Sequence, residues 1–260
     1  MFASNDFMTN QRISIDMREV VEVILKSKYL TALTGAGVSA ESGIPTFRGK
    51  DGLWNKYKPE ELATPQAFAA NPEVVWKWYA WRMEIVFNAK PNPAHYGFAE
   101  LEKLEILKCL ITQNVDDLHE RAGSERVLHL HGSLRKVICT KCDYSEYVEK
   151  PPRIPPLPKC PRCHSLLRPG VVWFGEMLPQ DVLSEALNEV NRSDVIIVAG
   201  TSAVVQPAAS LPLIVKRNGG KIIEINPSET PLSGIADYVI RKPAGVAMKE
   251  IVDEIKRVLS

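Results

Sequence analysis

Four short runs of apolar and β-branched residues recur along the chain. They lie at 29–34, 106–112, 194–199 and 221–225. Runs this apolar are typical of strands in a parallel sheet that is covered on both faces. Amphipathic segments with helical spacing accompany them, at 17–26, 180–190, 208–217 and 247–259. The alternation predicts an α/β fold with a Rossmann-like, doubly wound parallel sheet.

Two segments interrupt this alternation and predict a second, smaller lobe. Residues 54–104 form a helical, aromatic-rich pattern, and residues 134–170 hold two cysteine pairs and a cluster of prolines. We predict that the first is a helical module and the second a zinc-binding module. The larger domain then comprises the rest of the chain, which is 1–53, 105–133 and 171–260, with 1–16 as a candidate disordered tail. A cleft between two lobes is a common place for a ligand.

The two cysteine pairs are spaced for one metal ion. Each pair has the form Cys-x-x-Cys, and seventeen residues separate the pairs. This spacing is typical of a site for tetrahedral Zn²⁺ in which protein fills every coordination position, so that the metal is structural. Two disulfides, or four unrelated thiols, are the alternative. The predicted ligands are Cys139, Cys142, Cys160 and Cys163.

Composition and charge limit the binding partners and the cellular compartment that we expect. A net charge of +1 gives no reason to expect a strong nucleic-acid or membrane surface. The first sixteen residues lack the apolar core of a signal peptide, and no apolar run reaches the length of a membrane span. Four cysteines in a metal pattern, and Cys109 in an apolar run, suit a reducing compartment. We therefore predict a cytoplasmic protein.

The first predicted strand leads into a glycine-rich segment. Gly35 and Gly37 allow backbone amides to approach a phosphate where a strand turns into a helix. Ser39, Phe47 and Arg48 add a hydroxyl, an aromatic face and a cation near the same ligand. A Gly-x-Gly-x-x-Ala pattern alone also makes plain tight turns, and the acidic residue of the usual dinucleotide fingerprint is missing here.

Seven sequence blocks in a fixed order resemble the sirtuin family. They are 35–48, 112–119, His131-Gly132, the cysteine pairs, 174–176, 200–202 and Asn226. The resemblance extends from about residue 17 to the C-terminus. It implies an NAD-dependent protein-lysine deacylase, with NAD as co-substrate and one structural zinc ion. In such an enzyme the acyl-lysine oxygen attacks the ribose carbon as nicotinamide leaves, which gives nicotinamide, O-acyl-ADP-ribose and free lysine.

The resemblance assigns two catalytic residues. His131 would be the general base, since histidine can accept a proton near neutral pH. The alternative is a strand histidine in the core, and His129 lies two residues earlier on the same face. Gly132 and the family pattern favour His131. Asn114 would orient the ribose and the attacking groups, although a turn that caps a helix near Asp116 also fits it.

The resemblance places NAD between the lobes. Asp116 with Ile44 would hold the nicotinamide amide, and Asn226 would meet the adenine-side ribose, although an ordinary strand-end turn also fits Asn226. His119 is predicted to be structural. The implied cofactor-binding residues are Gly35, Ala36, Gly37, Ser39, Ile44, Pro45, Phe47, Arg48, Trp54, Gln113, Asn114, Asp116, Gly200, Thr201, Ser202, Asn226, Pro227, Ser228 and Ala244.

The predicted substrate site has two parts. A substrate peptide is expected to pair with the backbone of Val172, Trp173, Phe174, Gly175 and Glu176. Tyr79 and Arg82 are spaced i, i+3, so that both can point into an acyl pocket. This pair resembles the sirtuin subgroup that prefers negatively charged acyl groups, which predicts removal of acetyl and succinyl groups, with malonyl as a further candidate. The alternative is a packed helix in which Arg82 stacks on a ring or pairs with Glu84.

Two other functions compete with this one. A zinc ribbon can bind nucleic acid, but this one mixes basic and acidic residues, so we expect no direct nucleic-acid binding. These residues are Arg135, Lys136, Lys141, Asp143, Glu146 and Glu149. An NAD-dependent ADP-ribosyltransferase would use the same cofactor and cleft. The expected partners are acylated lysines of protein substrates, with chromatin-associated proteins and transcription regulation as candidates.

Overall fold

The computed structural model describes residues 16–49 and 52–260. The strands are β1 (Leu30–Thr34), β2 (Leu107–Thr112), β3 (Val127–His129), β4 (Gly132–Cys139), β5 (Ser145–Tyr147), β6 (Leu167–Val171), β7 (Val195–Ala199), β8 (Lys221–Ile225) and β9 (Tyr238–Ile240). The helices are α1 (Met17–Lys26), α2 (Ala36–Ala40), α3 (Pro59–Leu62), α4 (Pro65–Ala70), α5 (Pro72–Asn88), α6 (Pro93–Lys103), α7 (Leu118–Arg121), α8 (Gln180–Arg192), α9 (Leu211–Arg217) and α10 (Ala244–Leu259). Of the candidate tail at 1–16, Asp16 alone lies within the described residues, and its side chain caps α1.

Six parallel strands form the main sheet, in the order β3-β2-β1-β7-β8-β9. Every residue of β1 and β7 is buried, which explains why these strands are continuous apolar runs. The four predicted strands and the α/β class are confirmed. The edge strands β3 and β9 have three residues each, too few to give an apolar run of their own.

Helices cover both faces of this sheet. On one face α1, α6 and α10 share a core with the strands, and on the other face α8 and α9 do so. Helices α6 and α10 cross closely because residue 97 is glycine: a Cβ there would lie 2.9 Å from the Cβ of Met248. Within 16–49 and 52–260, no helix combines the length and the apolar character needed to cross a membrane.

Two separate chain segments build the smaller lobe around one core. Helices α3, α4 and α5 pack against an antiparallel sheet in the order β5-β4-β6. Trp76 of α5 is fully buried and donates its indole N–H to the carbonyl of Leu167 in β6 at 2.8 Å. Helix α6 lies outside this core, since Phe98 packs in the main-sheet cluster. The packing therefore favours ending the helical module before Pro93, and the other domain boundaries stay predictions.

Candidate active site

A cavity of about 810 Å³ opens where the carboxyl ends of the sheet strands meet the smaller lobe. It lies at the boundary between β1 and β7, the position at which doubly wound sheets bind ligands. Most of the predicted site residues line it. They are Gly35, Ala36, Gly37, Phe47, Arg48, Trp54, Tyr79, Arg82, Gln113, Asn114, His131, Val172, Trp173, Phe174, Gly175, Glu176, Gly200, Thr201, Ser202, Asn226, Pro227, Ser228 and Ala244.

The loops after β1 and β7 touch through glycine backbones. The N–H of Gly37 donates to the carbonyl of Gly200 at 2.8 Å, and that of Gly35 donates to the carbonyl of Ala199 at 3.0 Å. A Cβ at Gly37 would lie 2.8 Å from the Cα of Gly200, whose own φ is +61°. No side chain fits at this contact. The glycines therefore bring two cavity walls together. The N–H groups of Gly35 and Gly37 already donate to backbone carbonyls of the protein.

Side-chain amides join the ends of three strands. Nε2 of Gln113, which follows β2, donates to Oγ1 of Thr201 at 2.9 Å. Nδ2 of Asn226, which follows β8, donates to the carbonyl of Thr201 at 2.8 Å. Oδ1 of Asn226 accepts the backbone N–H of Ser228 at 3.1 Å. The polar wall of the cavity is therefore fixed by the protein's own hydrogen bonds.

The start of α10 is tied to the end of α2 by Glu41. Oε2 of Glu41 accepts the N–H of Gly245 at 2.6 Å, next to the predicted adenine contact Ala244. A carboxylate at a helix N-terminus is favoured by the helix dipole. A Cβ at residue 245 would lie 2.7 Å from this oxygen, so glycine leaves room for it. Glu41 also lines the cavity, a place that the sequence motif did not reveal.

A buried polar layer supports Asn114 from behind. Ser39 accepts a hydrogen bond from Nδ2 of Asn114 at 3.1 Å and donates its own proton to Oδ2 of Asp116 at 2.9 Å. Oδ1 of Asp116 accepts the N–H of Leu118 at 3.1 Å, so Asp116 also caps the following turn. Burial raises the pKa of Asp116. The predicted residues that do not line the cavity itself are Ser39, Ile44, Pro45 and Asp116.

His131 has one bonded and one free ring nitrogen. Nδ1 lies 3.1 Å from the carbonyl of Gln113, and because a carbonyl can only accept, this nitrogen carries the proton. Nε2 has no partner in the part of the chain that the structure describes. Burial lowers the pKa of His131 below its ordinary 6.5, although the bond to Gln113 opposes the shift. The ring is therefore neutral at pH 7, and Nε2 can accept a proton.

His129 has both nitrogens engaged. Nδ1 lies 3.0 Å from the carbonyl of Asn114, and Nε2 lies 2.5 Å from Oε1 of Glu120. Burial acts to lower the pKa of His129, but the carboxylate of Glu120 outweighs it, and the net direction is upward. His129 is therefore ion-paired and has no free lone pair to accept a proton. This difference distinguishes His129 from His131, which their spacing in the sequence could not do.

Arg82 lines the cavity as a buried cation. Its guanidinium carbon lies 4.7 Å from the ring centroid of Phe47 and 4.9 Å from that of Trp78, so the stacking that the packed-helix alternative predicts is present. Burial lowers the pKa of Arg82, yet an arginine keeps its charge at neutral pH. Among the described residues, no carboxylate oxygen lies within 4.0 Å of its nitrogens, so the alternative pairing with Glu84 is absent there. Asp116 acts on the cation from a greater distance.

The segment 172–176 is fixed to both lobes. The N–H of Val172 donates to the carbonyl of His131 at 2.9 Å. The N–H of Phe174 donates to the carbonyl of Ala63, between α3 and α4, at 2.9 Å. Phe174 itself is 42% exposed, which leaves its ring available at the cavity. The predicted peptide-binding segment therefore spans the junction between the catalytic histidine candidate and the helical module.

The four predicted metal ligands converge on one point. Their sulfur atoms all lie within 4.8 Å of one another, with Cys139 and Cys163 separated by 3.4 Å and Cys142 and Cys160 by 3.6 Å. A disulfide would need about 2.05 Å, which excludes that alternative. A tetrahedral Zn²⁺ with bonds of about 2.3 Å separates its sulfurs by roughly 3.8 Å. The cluster therefore fits one structural zinc ion.

Cys109 lies apart from this cluster, buried in β2. Burial raises the pKa of its thiol to about 12, so it is inert at neutral pH. His119 is also buried, and its Nε2 lies 3.0 Å from Oγ1 of Thr34, in agreement with a structural role. Neither residue lines the cavity.

Sequence reasoning missed part of the site. Trp78 lines the cavity, and its place beside Tyr79 in an aromatic helix was a usable signal. Ala63 lines it from a turn, and a small residue in a turn gives no signal. His95 lies behind the cavity with Nε2 3.3 Å from Oγ of Ser39, in a helix whose pattern indicated only packing.

The fold and its cleft define a class, the dinucleotide-binding α/β proteins, and comparison with known proteins narrows it. The Sir2 family profile matches residues 35–207. The chain belongs to the Sir2, or sirtuin, family. The resemblance inferred from the seven sequence blocks is therefore confirmed.

Close relatives cover nearly the whole chain. The NAD-dependent protein deacylase 1 of Archaeoglobus fulgidus is 73% identical over 242 residues, which are 93% of this chain and 99% of the relative. The NAD-dependent protein deacylase of Pyrococcus abyssi is 53% identical over 246 residues, which are 93% of this chain and 98% of the relative. These similarities extend well beyond the residues of the site.

Solved structures share the fold as well. A Sir2 homologue in complex with NAD has a TM-score of 0.90 and 73% identity, over 94% of this chain and 95% of that one. A Sir2 protein bound to an acetylated peptide has a TM-score of 0.83 and 36% identity, over 92% of this chain and 98% of that one. Of these two proteins, one holds NAD and the other an acetylated peptide.

Proposed function

We propose that this protein is an NAD-dependent protein-lysine deacylase that removes both acetyl and succinyl groups, with malonyl as a further candidate. One observation carries the proposal: a neutral histidine with a free nitrogen, His131, shares a cavity with the buried cation Arg82. The first suits the base that the reaction needs, and the second suits an acyl carboxylate. The name shared by the close relatives agrees with the activity.

His131 acts as the general base. When bound, NAD supplies an electrophilic ribose carbon and a leaving nicotinamide. Nε2 of His131 takes a proton from a ribose hydroxyl, and the carbonyl of Gln113 stabilises the resulting cation through the N–H on Nδ1. Nδ2 of Asn114 is held by Ser39, so Oδ1 remains free to accept from a hydroxyl and orient it.

The remaining cofactor contacts follow the walls of the cavity. We assign the nicotinamide amide to Asp116 and Ile44, because Asp116 lies buried behind Asn114 and is joined to it through Ser39. A carboxyl oxygen can accept the N–H groups of a carboxamide. The phosphates and riboses are assigned to three loops and the adenine to one helix start, which are 35–37, 200–202, 226–228 and Ala244.

The acyl specificity rests on Arg82 and Tyr79. Arg82 is 8% exposed and carries a charge that no described carboxylate neutralises at ion-pair distance. A buried cation is costly unless a partner arrives, and a guanidinium can bind a succinyl carboxylate with two hydrogen bonds. Acetyl-lysine lacks the carboxylate and gains nothing from this contact, but it is the smaller group and still fits.

A zinc ion at the four cysteines lies outside the cavity and stabilises the lobe that forms one of its walls. Cys139 and Cys160 belong to the same core as Trp76 of α5 and Trp173 of the peptide-binding segment. A metal that closes the ribbon therefore holds the wall against which the acyl group packs. The metal has no open position for a substrate, since four sulfurs complete a tetrahedron.

Product analysis tests the proposal. Peptides of one sequence that carry acetyl-, succinyl- or malonyl-lysine are incubated with and without NAD, and the products are measured by mass spectrometry. We expect free lysine peptide, nicotinamide and O-acyl-ADP-ribose of matching acyl group, all dependent on NAD. ADP-ribose attached to protein, with the acyl-lysine intact, would instead support an ADP-ribosyltransferase.

We also propose a cytoplasmic setting, because none of the five cysteines forms a disulfide and the sulfur atoms of four of them converge on a point that fits a metal ion. Acylated lysines of other proteins, chromatin-associated proteins among them, are the proposed substrates. Cell fractionation tests the location. A comparison of lysine acylation in cells with and without the protein tests the substrates, and an unchanged acyl-lysine profile would contradict them.

A further inference from the structure

The hydroxyl of Tyr79 is bonded in a way that fixes its role. Its oxygen lies 2.9 Å from Nε1 of Trp173, and both side chains are buried. An indole N–H can only donate, so Tyr79 must be the acceptor at this contact. The phenol keeps its own proton, and that proton has to point elsewhere.

Within the described residues, no group accepts the proton of Tyr79. The neighbouring charged group, Arg82, lies with its guanidinium carbon 5.6 Å from the Tyr79 ring centroid, and hydrogen bonding to Tyr79 opposes the lowering of its pKa by burial, so Arg82 too acts on the phenol as a donor. Both residues line the cavity. Burial raises the pKa of Tyr79, so the proton stays in place at neutral pH. The proton of Tyr79 is therefore available to an acceptor on a ligand in the cavity.

Trp173 is held in place by contacts with Arg168 and Glu176. The guanidinium carbon of Arg168 lies 3.5 Å from the centroid of its ring. The carboxylate of Glu176 pairs with Arg168 at 2.5 Å and accepts the backbone N–H of Trp173 at 2.8 Å. A cation on the face of an indole ring is attracted to it and holds it in place. The direction of the indole N–H is thus set by Arg168 and Glu176, of which only Glu176 lines the cavity.

We infer that Trp173 is a positioning residue for acyl specificity: it occupies a lone pair of Tyr79 and so presents the tyrosine as a hydrogen-bond donor to an acyl carboxylate. The inference rests on the proposed removal of succinyl groups. Without the indole N–H, the phenol can rotate and turn a lone pair toward the ligand, which a carboxylate cannot use. Acetyl-lysine has no carboxylate and lacks this contact, so the effect is measured as a ratio of the two substrates and not as an unchanged acetyl turnover.

The test removes the N–H and leaves the ring. Trp173 is replaced by benzothienylalanine through site-specific incorporation, and the ratio of kcat/KM for succinyl over acetyl peptide is measured at saturating NAD. We expect the ratio to fall by about two- to tenfold, chiefly through the KM for succinyl peptide, as for loss of one neutral hydrogen bond. Trp173→Phe serves as a second variant, with thermal unfolding as its folding control.

A double-mutant comparison with Tyr79→Phe separates this role from plain packing. If Trp173 acts through the tyrosine, the combined variant loses no more of the ratio than Tyr79→Phe alone. Additive losses, or an equal loss on both peptides, would overturn the inference. The proposed succinyl specificity would survive that result if Arg82→Met still lowered the ratio. If the unaltered protein removes acetyl but not succinyl groups, and Arg82→Met leaves the ratio unchanged, the proposed specificity itself has failed.

Discussion

A single hydrogen bond between His131 and Gln113 fixes the tautomer of the histidine that we propose as the general base. The imidazole donates from Nδ1 to the Gln113 carbonyl at 3.1 Å. The carbonyl lies directly after β2, so the sheet itself holds the ring in place. A histidine held in this way offers a lone pair on Nε2 and can share its later positive charge with a fixed dipole.

Replacement of this residue should abolish turnover. We expect His131→Ala to reduce NAD-dependent deacylation by about 10²- to 10⁴-fold, because the variant lacks the base for the ribose hydroxyl. Circular dichroism should show a folded protein. His129→Gln is the matched control, since His129 has no free lone pair, and it should retain most of the turnover. Near-normal activity of His131→Ala would contradict the assignment.

The pH profile should have its acid limb below the ordinary histidine range. Burial lowers the pKa of His131 below 6.5, and the neutral form is the active one. The value of kcat/KM for NAD, which reports groups of the free enzyme, should therefore rise through a transition below 6.5 and be level across neutrality. An acid limb centred above neutral pH would show that another group controls the step.

The pair of His129 and Glu120 should make stability depend on pH in the opposite sense. The net pKa of His129 is raised, so its pairing stabilises the fold fully below the unfolded value of 6.5 and is lost as pH rises through the folded value. We expect His129→Gln to lower the Tm more at about pH 5.5 than at about pH 9. Equal losses at both pH values would mean that the ring contributes packing alone.

Loss of the buried cation should be selective for the acyl group. We expect Arg82→Met to raise the KM for succinyl peptide by roughly ten- to a hundredfold, the size of a charge-assisted contact, with no comparable change for acetyl peptide. Arg82→Lys keeps the charge but not the planar fork and should fall between the two. The same loss on both peptides would make the arginine structural.

Zinc should be inseparable from the stability of the smaller lobe. We expect Cys160→Ala to release the metal and to lower the free energy of unfolding by at least about 4 kcal/mol, since metal binding in a closed thiolate site is folding free energy. Metal content and thermal unfolding measure this. Cys109→Ala removes a buried thiol outside the cluster and should keep one zinc per chain. Full zinc and unchanged stability in Cys160→Ala would contradict the site.

Much of the fold could be predicted because burial leaves a local mark. Strands β1 and β7 are buried on both faces, so they show as unbroken apolar runs. The assignment of α6 could not be predicted in this way. An amphipathic pattern tells that one helix face is buried, but not against which partner, and here the partner is α10 at the other end of the chain.

The site likewise has features that local sequence predicts and features that it does not. The cysteine cluster and the strand-end loops carry their own spacing, and the sequence indicates them. The tautomer of His131 depends on the carbonyl of Gln113, which follows another strand. Whether Arg82 has a carboxylate within ion-pair distance depends on where the fold places the acidic side chains. Such properties arise when distant segments meet, and no window of sequence contains them.

The indole hydrogen bond from Trp76 to Leu167 also has a consequence for synthesis. The two residues are 91 positions apart. At a translation rate of about 5–20 residues per second, the ribosome makes Trp76 roughly 5 to 18 seconds before its partner. During that interval α5 has no β-ribbon to cover its largest apolar side chain. We expect the nascent chain to be most prone to aggregation, and most dependent on chaperones, in this window rather than after release.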